Sequence, residues 1–159
     1  MNKKQKNILS DYVLHSALHM LTLEEQCLKR TCESDLSVRE LHVIEAVASL
    51  MDSGKNTMAE IAKYLHVSPA SLTAAVNVLV KKGYVCREYS SSDRRVIYIN
   101  LTERGDSANR KYLDFVRNFL EYVGCDLDEE SADKMIDALM KALEYFEHVA
   151  EGDLTPDDN

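Results

Sequence analysis

Between residues 57 and 82 the apolar positions recur with the period of a helix, twice, around a short break. Met58, Ile61, Ala62 and Leu65 stand at i, i+3, i+4 and i+7 and make one apolar face. Thr57, three residues before Glu60, predicts a capping-box start, since each side chain can satisfy an orphan backbone N–H. The pattern stops at His66-Val67, after which Ser68 suits an N-cap and Pro69 a first helical position. A second stripe of Leu72, Ala75, Val76, Leu79 and Val80 ends at Lys81-Lys82-Gly83, with cations on the negative helix end and a glycine beyond. Small Ala62 and Ala75 fall where two such helices cross, so a helix-turn-helix is expected. Residues 84–89 and 96–101 are then rich in β-branched and aromatic types around a turn-like Ser90-Ser91-Ser92-Asp93, which predicts a hairpin.

The flanks are helical in pattern. Ile8, Tyr12, Val13, Ala17, Leu21 and Leu28 lie along a long helix over 7–30. Ser37 with Glu40 caps another, with Leu41, Ile44, Val47, Ala48 and Met51 inward. Ala108, Tyr112, Phe115, Val116, Phe119 and Val123 form a third stripe, and Asp128 opens a fourth through Ala132, Met135, Ile136, Leu139, Leu143 and Phe146. The expected fold class is mainly α with a small β-wing. A winged helix-turn-helix domain occupies 35–105, with dimerisation helices over 1–34 and 106–150 from both termini. An acidic, frayed tail follows over 151–159. Much of each flanking stripe is also expected to serve as intrachain core.

The polar positions say what such a domain is for. Ala70, Ser71, Thr73, Ala74, Asn77 and Lys81 face away from the apolar stripe of the second helix, with Ser68 at its start. Small residues allow close approach to a groove, hydroxyls and an amide can reach phosphates or base edges, and a lysine suits a phosphate. Arg94 and Arg95 fall at the hairpin tip, with Arg87 on its first strand, and a tip guanidinium can enter a narrow minor groove. Asp93 is expected to pair with Arg95 and hold it in place. A net charge of −8 looks wrong for a DNA binder, but ten Lys/Arg stand against five Asp/Glu over 55–112, and nine against twenty-two elsewhere. Basic charge therefore gathers on the predicted reading head.

The run Asp93-Arg94-Arg95-Val96-Ile97-Tyr98-Ile99-Asn100-Leu101-Thr102-Glu103-Arg104-Gly105 resembles the wing signature of MarR-type winged-helix repressors. Leu79-Val80-Lys81-Lys82-Gly83-Tyr84-Val85 is similar to that family's recognition-helix exit, and Leu41-His42-Val43-Ile44 to the start of its second helix. One departure is His66, where many such motifs carry a glycine at positive φ, a conformation histidine tolerates better than most residues. The resemblance implies a homodimeric repressor on double-stranded DNA with a palindromic operator, half-sites being about one helical turn apart. It also implies an effector crevice between dimerisation helices and winged domain, for which Leu14, Leu18, His42, Glu45, Tyr112 and Val116 are the candidates. Residues 35–47, after Glu24-Glu25, are similar to FabT-type fatty-acid-biosynthesis repressors, which implies acyl chains on acyl carrier protein as effector. Small aromatic or antibiotic-like ligands, or a winged-helix protein-interaction module without DNA, are the alternatives.

Other classes are disfavoured. There is no glycine-rich phosphate loop, nucleophile elbow or His-Glu-x-x-His helix, so an enzyme is not expected, nor a cofactor. Cys27, Cys32, Cys86 and Cys125 lack zinc-like spacing and are expected to be buried, inert thiols. His15 and His19 stand at i, i+4 but have no third ligand nearby in sequence, so no metal site is expected. No apolar run is long enough to cross a bilayer and no signal sequence is seen, so no membrane partner and a cytoplasmic location are expected.

Overall fold

The computed structural model describes residues 1–31, 35–90, 93 and 95–152. Its elements are α1 (Lys3–Asp11), a π turn (Tyr12–Ser16), α2 (Ala17–Thr31), α3 (Val38–Met51), α4 (Met58–Tyr64) and α5 (Pro69–Lys82). β1 (Val85–Tyr89), β2 (Ile97–Leu101), α6 (Glu103–Gly124) and α7 (Glu129–Glu151) follow. The chain divides into two compact units, Met1–Val116 and Arg117–Asn159. Two differences from expectation lie in the first helix. It starts earlier, where Asn2 and Gln5 cap each other reciprocally, and the π turn interrupts its α-helical path. The side chains of Leu14, Ala17, Leu18 and Leu21 lie outside the described residues, as do residues 153–159 of the tail.

The first unit is built around α3, whose Leu41, Ile44, Ala46 and Val47 are fully buried. Ile61 of α4, Leu72, Val76 and Leu79 of α5, and Ile99 of β2 close on it, with Leu28 and Leu36 from the N-terminal side. The caps follow the predicted chemistry. Ser37 and Glu40 form a full capping box, whereas Thr57 accepts the Glu60 N–H without the reciprocal bond that Ser37 makes. α4 and α5 end alike. After α4, Val67 N–H reaches back to the Ala62 carbonyl and His66 N–H to that of Lys63. After α5, Tyr84 N–H reaches Leu79 and Gly83 N–H reaches Val80. Both are Schellman closures, which need a left-handed residue, supplied here by His66 (φ 52°) and Gly83 (φ 77°).

β1 and β2 pair antiparallel from Val85↔Leu101 to Tyr89↔Ile97. The α3–α4 connection adds a fragment of a third strand. Ile99 N–H donates to the Asn56 carbonyl at 2.9 Å, and Thr57 bridges Tyr98. Buried Asn56 donates its amide to the Ile99 carbonyl (2.9 Å) and to Asn100 Oδ1 (2.7 Å), so its polarity is satisfied. At the base of the hairpin, Thr102 N–H donates to the Tyr84 carbonyl at 3.1 Å, and its hydroxyl donates to the Gly83 carbonyl at 2.7 Å. Thr102 also caps α6, accepting the Gly105 N–H on its hydroxyl oxygen (3.1 Å). Gly105 lies so close to the Tyr84 carbonyl oxygen that a Cβ there would overlap it.

A polar clasp ties the chain before α3 to the end of α5. Lys82 Nζ donates to the Asp35 carbonyl (2.6 Å) and to Glu40 Oε1 (2.9 Å). The Tyr84 hydroxyl donates to Asp35 Oδ1 at 2.8 Å, and the Arg104 guanidinium lies 4.2 Å from the centre of the Tyr84 ring. The Tyr84 hydrogen bond is foremost in holding the Asp35 carboxyl below its ordinary range. Burial pushes Glu40 up, but the Ser37 N–H, Lys82 and the Ser37 hydroxyl together outweigh it and leave Glu40 below its usual value.

The second unit carries the end of α6 and α7, which starts at the N-cap Asp128 and stops at Gly152 with φ 84°. Here the expectation of intrachain core fails. Leu139 and Phe146 are each 63% exposed, and Phe119, Ile136 and Leu143 are also exposed, because one chain offers them little cover. Burial is wrong for the thiols too. Cys27, Cys86 and Cys125 are exposed, since they fall on outward faces of α2, β1 and the α6–α7 turn, while Cys32 lies outside the described residues. No described helix is long and apolar enough to cross a membrane.

Gly105→Ala should destabilise the fold by about 1–3 kcal/mol, the range of overpacked sites, as read by urea unfolding. The clasp should also leave a pH signature. Folded-state values of Asp35 and Glu40 lie below their unfolded ones, so their stabilisation is present above the ordinary carboxylate range and is lost as pH falls through it. Glu40→Gln should therefore be less stable than wild type near neutrality and show a flatter stability profile from about pH 5 to about pH 3.

Candidate nucleic-acid interface

α5 is the second helix of the predicted motif, and its burial splits it cleanly. Leu72, Val76 and Leu79 are inside, and Ala75 and Val80 half-buried. Ala70, Ser71, Thr73, Ala74, Asn77 and Lys81 are all exposed, as is Ser68 at the N-cap. The structure thus brings these predicted contact residues onto one open face. Ser68 Oγ accepts the Ser71 N–H at 3.2 Å and donates to the Ser71 hydroxyl at 3.0 Å. Thr73 donates its hydroxyl hydrogen to the Pro69 carbonyl at 2.8 Å. Arg87, exposed on β1, donates from Nη2 to Asn77 Oδ1 at 2.6 Å and so joins the strand to the helix.

The hairpin end is closed by main-chain bonds. Val96 N–H donates to the Asp93 carbonyl at 2.9 Å, and Ser90 N–H to the Val96 carbonyl at 3.0 Å. Asp93 does hold Arg95, though by a different bond from the one expected. Its Oδ1 accepts the Arg95 backbone N–H at 2.9 Å, and among the described residues no side-chain ion pair joins the two. An aspartate two residues before an N–H makes this Asx contact easily, and Arg95 itself is exposed. Arg94 lies outside the described residues.

The adjacent lysines at the end of α5 have different lives. Lys82 is half-buried in the clasp, while Lys81 is exposed with no carboxylate on it among the described residues. Sequence reasoning placed both at the helix end and missed the clasp, because its partners Asp35 and Glu40 stand more than forty residues away. Ser37-Val38-Arg39-Glu40 signalled only a cap.

The effector candidates converge in part. The rings of His42 and Tyr112 meet at a tilt of 57° with centres 5.9 Å apart, and Glu45 and Val116 are half-buried. Burial, then the charges of Glu24 and Glu45, push the Tyr112 hydroxyl up to about 12. The side chains of Leu14 and Leu18 lie outside the described residues. A cavity of about 430 Å³ opens beside His42 and is lined by Val38 and Arg39 of α3, Val67 of the turn, and Ser71 and Leu72 of α5. Of the four candidates whose side chains are described, His42 alone lines it. No group of three or more metal-ligating His, Cys, Asp or Glu occurs among the described residues.

Known proteins place this geometry. The model of the MarR family matches residues 40–97, which run from α3 into β2. The uncharacterised helix-turn-helix regulator YpoP of Bacillus subtilis (strain 168) is 31% identical over 104 residues, 63% of this chain and 70% of that protein. The chain belongs to the MarR family. The family consists of transcription regulators and not enzymes. This MarR-family chain is also 28% identical to the repressor MdtR of the same organism over 104 residues, and the match spans 65% of each. Among solved structures, Streptococcus pneumoniae FabT in complex with DNA superposes with a TM-score of 0.77 at 26% identity, over 91% of this chain and 99% of that one.

The two lysines can be separated by salt. Lys81→Ala should weaken binding to operator and random DNA alike and lower the slope of log affinity against log salt by about one unit. Lys82→Met should lower stability in urea and leave that slope unchanged.

Proposed function

We propose that this protein is a homodimeric repressor that recognises a palindromic operator in double-stranded DNA in the cytoplasm and is modulated by an effector. The observation that carries the reading is the open face of α5. Small, hydroxyl and amide side chains there run from Ser68 to Lys81 beside a wing whose Arg95 is also exposed. Likeness to a FabT–DNA complex supports the same role. Assembly from two copies is supported by the uncovered apolar faces, on α1 and the π turn after it (Ile8, Leu9, Val13) and on α7 (Ile136, Leu139, Phe146). Faces of that kind on dimerisation helices call for a partner, and two-fold symmetry then sets half-sites about one helical turn apart.

The cavity between α3 and α5 is the natural place for control, because an occupant there touches the first turn of the recognition helix. A ligand shifts DNA affinity only by binding the competent and incompetent shapes unequally. The resemblance of residues 35–47 to FabT-type fatty-acid-biosynthesis repressors favours an acyl chain carried on acyl carrier protein, with small aromatic or antibiotic-like ligands as the alternative occupants.

The test is a gel shift of the purified protein on its own upstream region, with random DNA as competitor, beside sedimentation at several concentrations. A sequence-selective complex of a dimer is expected; absence of any complex favours a protein-interaction module. For the effector, anisotropy titrations use acyl carrier protein of several chain lengths. Each buried CH₂ contributes about 0.8 kcal/mol, so the effect should rise with length until the cavity is full. Val38→Trp should blunt the response and spare unliganded binding. If no chain length moves operator affinity, the acyl reading is wrong and the repressor reading survives.

A further inference from the structure

The contact between Arg87 and Asn77 fixes more than the join of strand to helix. A guanidinium has only N–H donors, so whatever way the Asn77 amide turns, it can meet Arg87 only through its oxygen. The observed bond, Arg87 Nη2 to Asn77 Oδ1 at 2.6 Å, has that polarity. The Asn77 amino group, with two donors, therefore points away from Arg87.

Arg87 is well placed to hold it there. Val85, two residues earlier on the same face of β1, is buried, and Arg87 stands opposite the fully buried Ile99. The strand beneath Arg87 is thus anchored to the core. The next residue, Glu88, falls on the other face of the strand, where Asn100 Nδ2 donates to its Oε2 at 2.6 Å, so this carboxylate is turned away from the guanidinium. One turn before Asn77, Thr73 has spent its hydroxyl hydrogen on the Pro69 carbonyl and offers lone pairs and a methyl group instead. Between them Ala74 is small and exposed, which leaves room for a base edge.

We propose that Arg87 is a positioning residue that sets the hydrogen-bond polarity of the recognition helix, holding Asn77 with its amino group leading so that it reads a base edge rich in acceptors. The inference rests on the DNA-binding reading above. In the major groove guanine presents two neighbouring acceptors, N7 and O6, whereas adenine sets an amino donor beside its N7. An asparagine free to turn would use oxygen and amino group together on adenine. With its oxygen held on Arg87, Asn77 prefers guanine.

The test is selection from a randomised half-site library with the full-length wild type, Arg87→Met, Arg87→Lys, Asn77→Asp, Asn77→Ala and the Arg87→Met/Asn77→Ala double variant. Thermal melts confirm that each is folded. Wild type should enrich guanine over adenine about ten-fold or more at one position per half-site. Asn77→Asp keeps an oxygen on Arg87 and turns another outward, so guanine should give way to cytosine, whose N4 donates. Arg87→Met should bring the guanine-to-adenine ratio at that position towards unity and leave other positions unchanged, and Arg87→Lys should restore part of it. In the Asn77→Ala background, Arg87→Met should change no preference further. A ratio isolates positioning from lost charge, because removing a phosphate contact weakens all sequences equally. An unchanged ratio in Arg87→Met overturns the proposal and leaves Arg87 a phosphate contact. A wild-type consensus that is insensitive to Asn77→Ala also overturns it while DNA binding stands, whereas no enrichment by the wild type overturns the DNA-binding reading itself.

Discussion

Three stretches of backbone meet at the carbonyl of Tyr84, and the first unit is organised by that meeting. Thr102 donates its N–H there, its hydroxyl lies across the Gly83 and Tyr84 carbonyls, and Gly105 approaches without a Cβ. The exit of the recognition helix, the base of the wing and the first turn of α6 are thereby fixed to one another within a few ångströms. Thr102 and Gly105 act on the fold itself. Their contribution is to join the end of α5 to the base of the hairpin.

Much of this was legible because it is local. Caps at Ser37, Ser68 and Asp128, the glycine after Lys82, and the apolar stripes each have a mechanism that acts within one helical turn, so sequence spacing suffices to see them. The outward face of α5 was legible for the same reason, being what the stripe leaves over. What escaped was long-range or cumulative. Lys82 could be placed at a helix end, but its partners Asp35 and Glu40 come from another element. The choice of Arg95 backbone over Arg95 guanidinium by Asp93 depends on a turn conformation that composition does not specify. The stripes on α6 and α7 were correctly periodic, yet periodicity cannot say whether a face is covered by its own chain.

His66 shows how a motif survives a substitution in its most constrained place. The turn between α4 and α5 needs one left-handed residue, and glycine meets that need at least cost. Two main-chain bonds, from His66 and Val67 back into α4, hold the histidine at φ 52° instead. Charge shows a comparable economy. The chain is acidic as a whole, with its basic residues concentrated from 55 to 112, so the sign of its total charge says little about what its reading head attracts.

The exposed thiols of Cys27, Cys86 and Cys125 impose a condition on how assembly can be observed. A cross-link between two copies through any of them would produce a covalent pair in air, whether or not the helices had associated. A band of twice the mass on a non-reducing gel is therefore uninformative about quaternary structure, and only mass measured under reductant reports it. The same accessibility makes Cys86, one residue from Arg87 on the wing, a ready attachment point for a fluorophore that senses DNA arriving nearby.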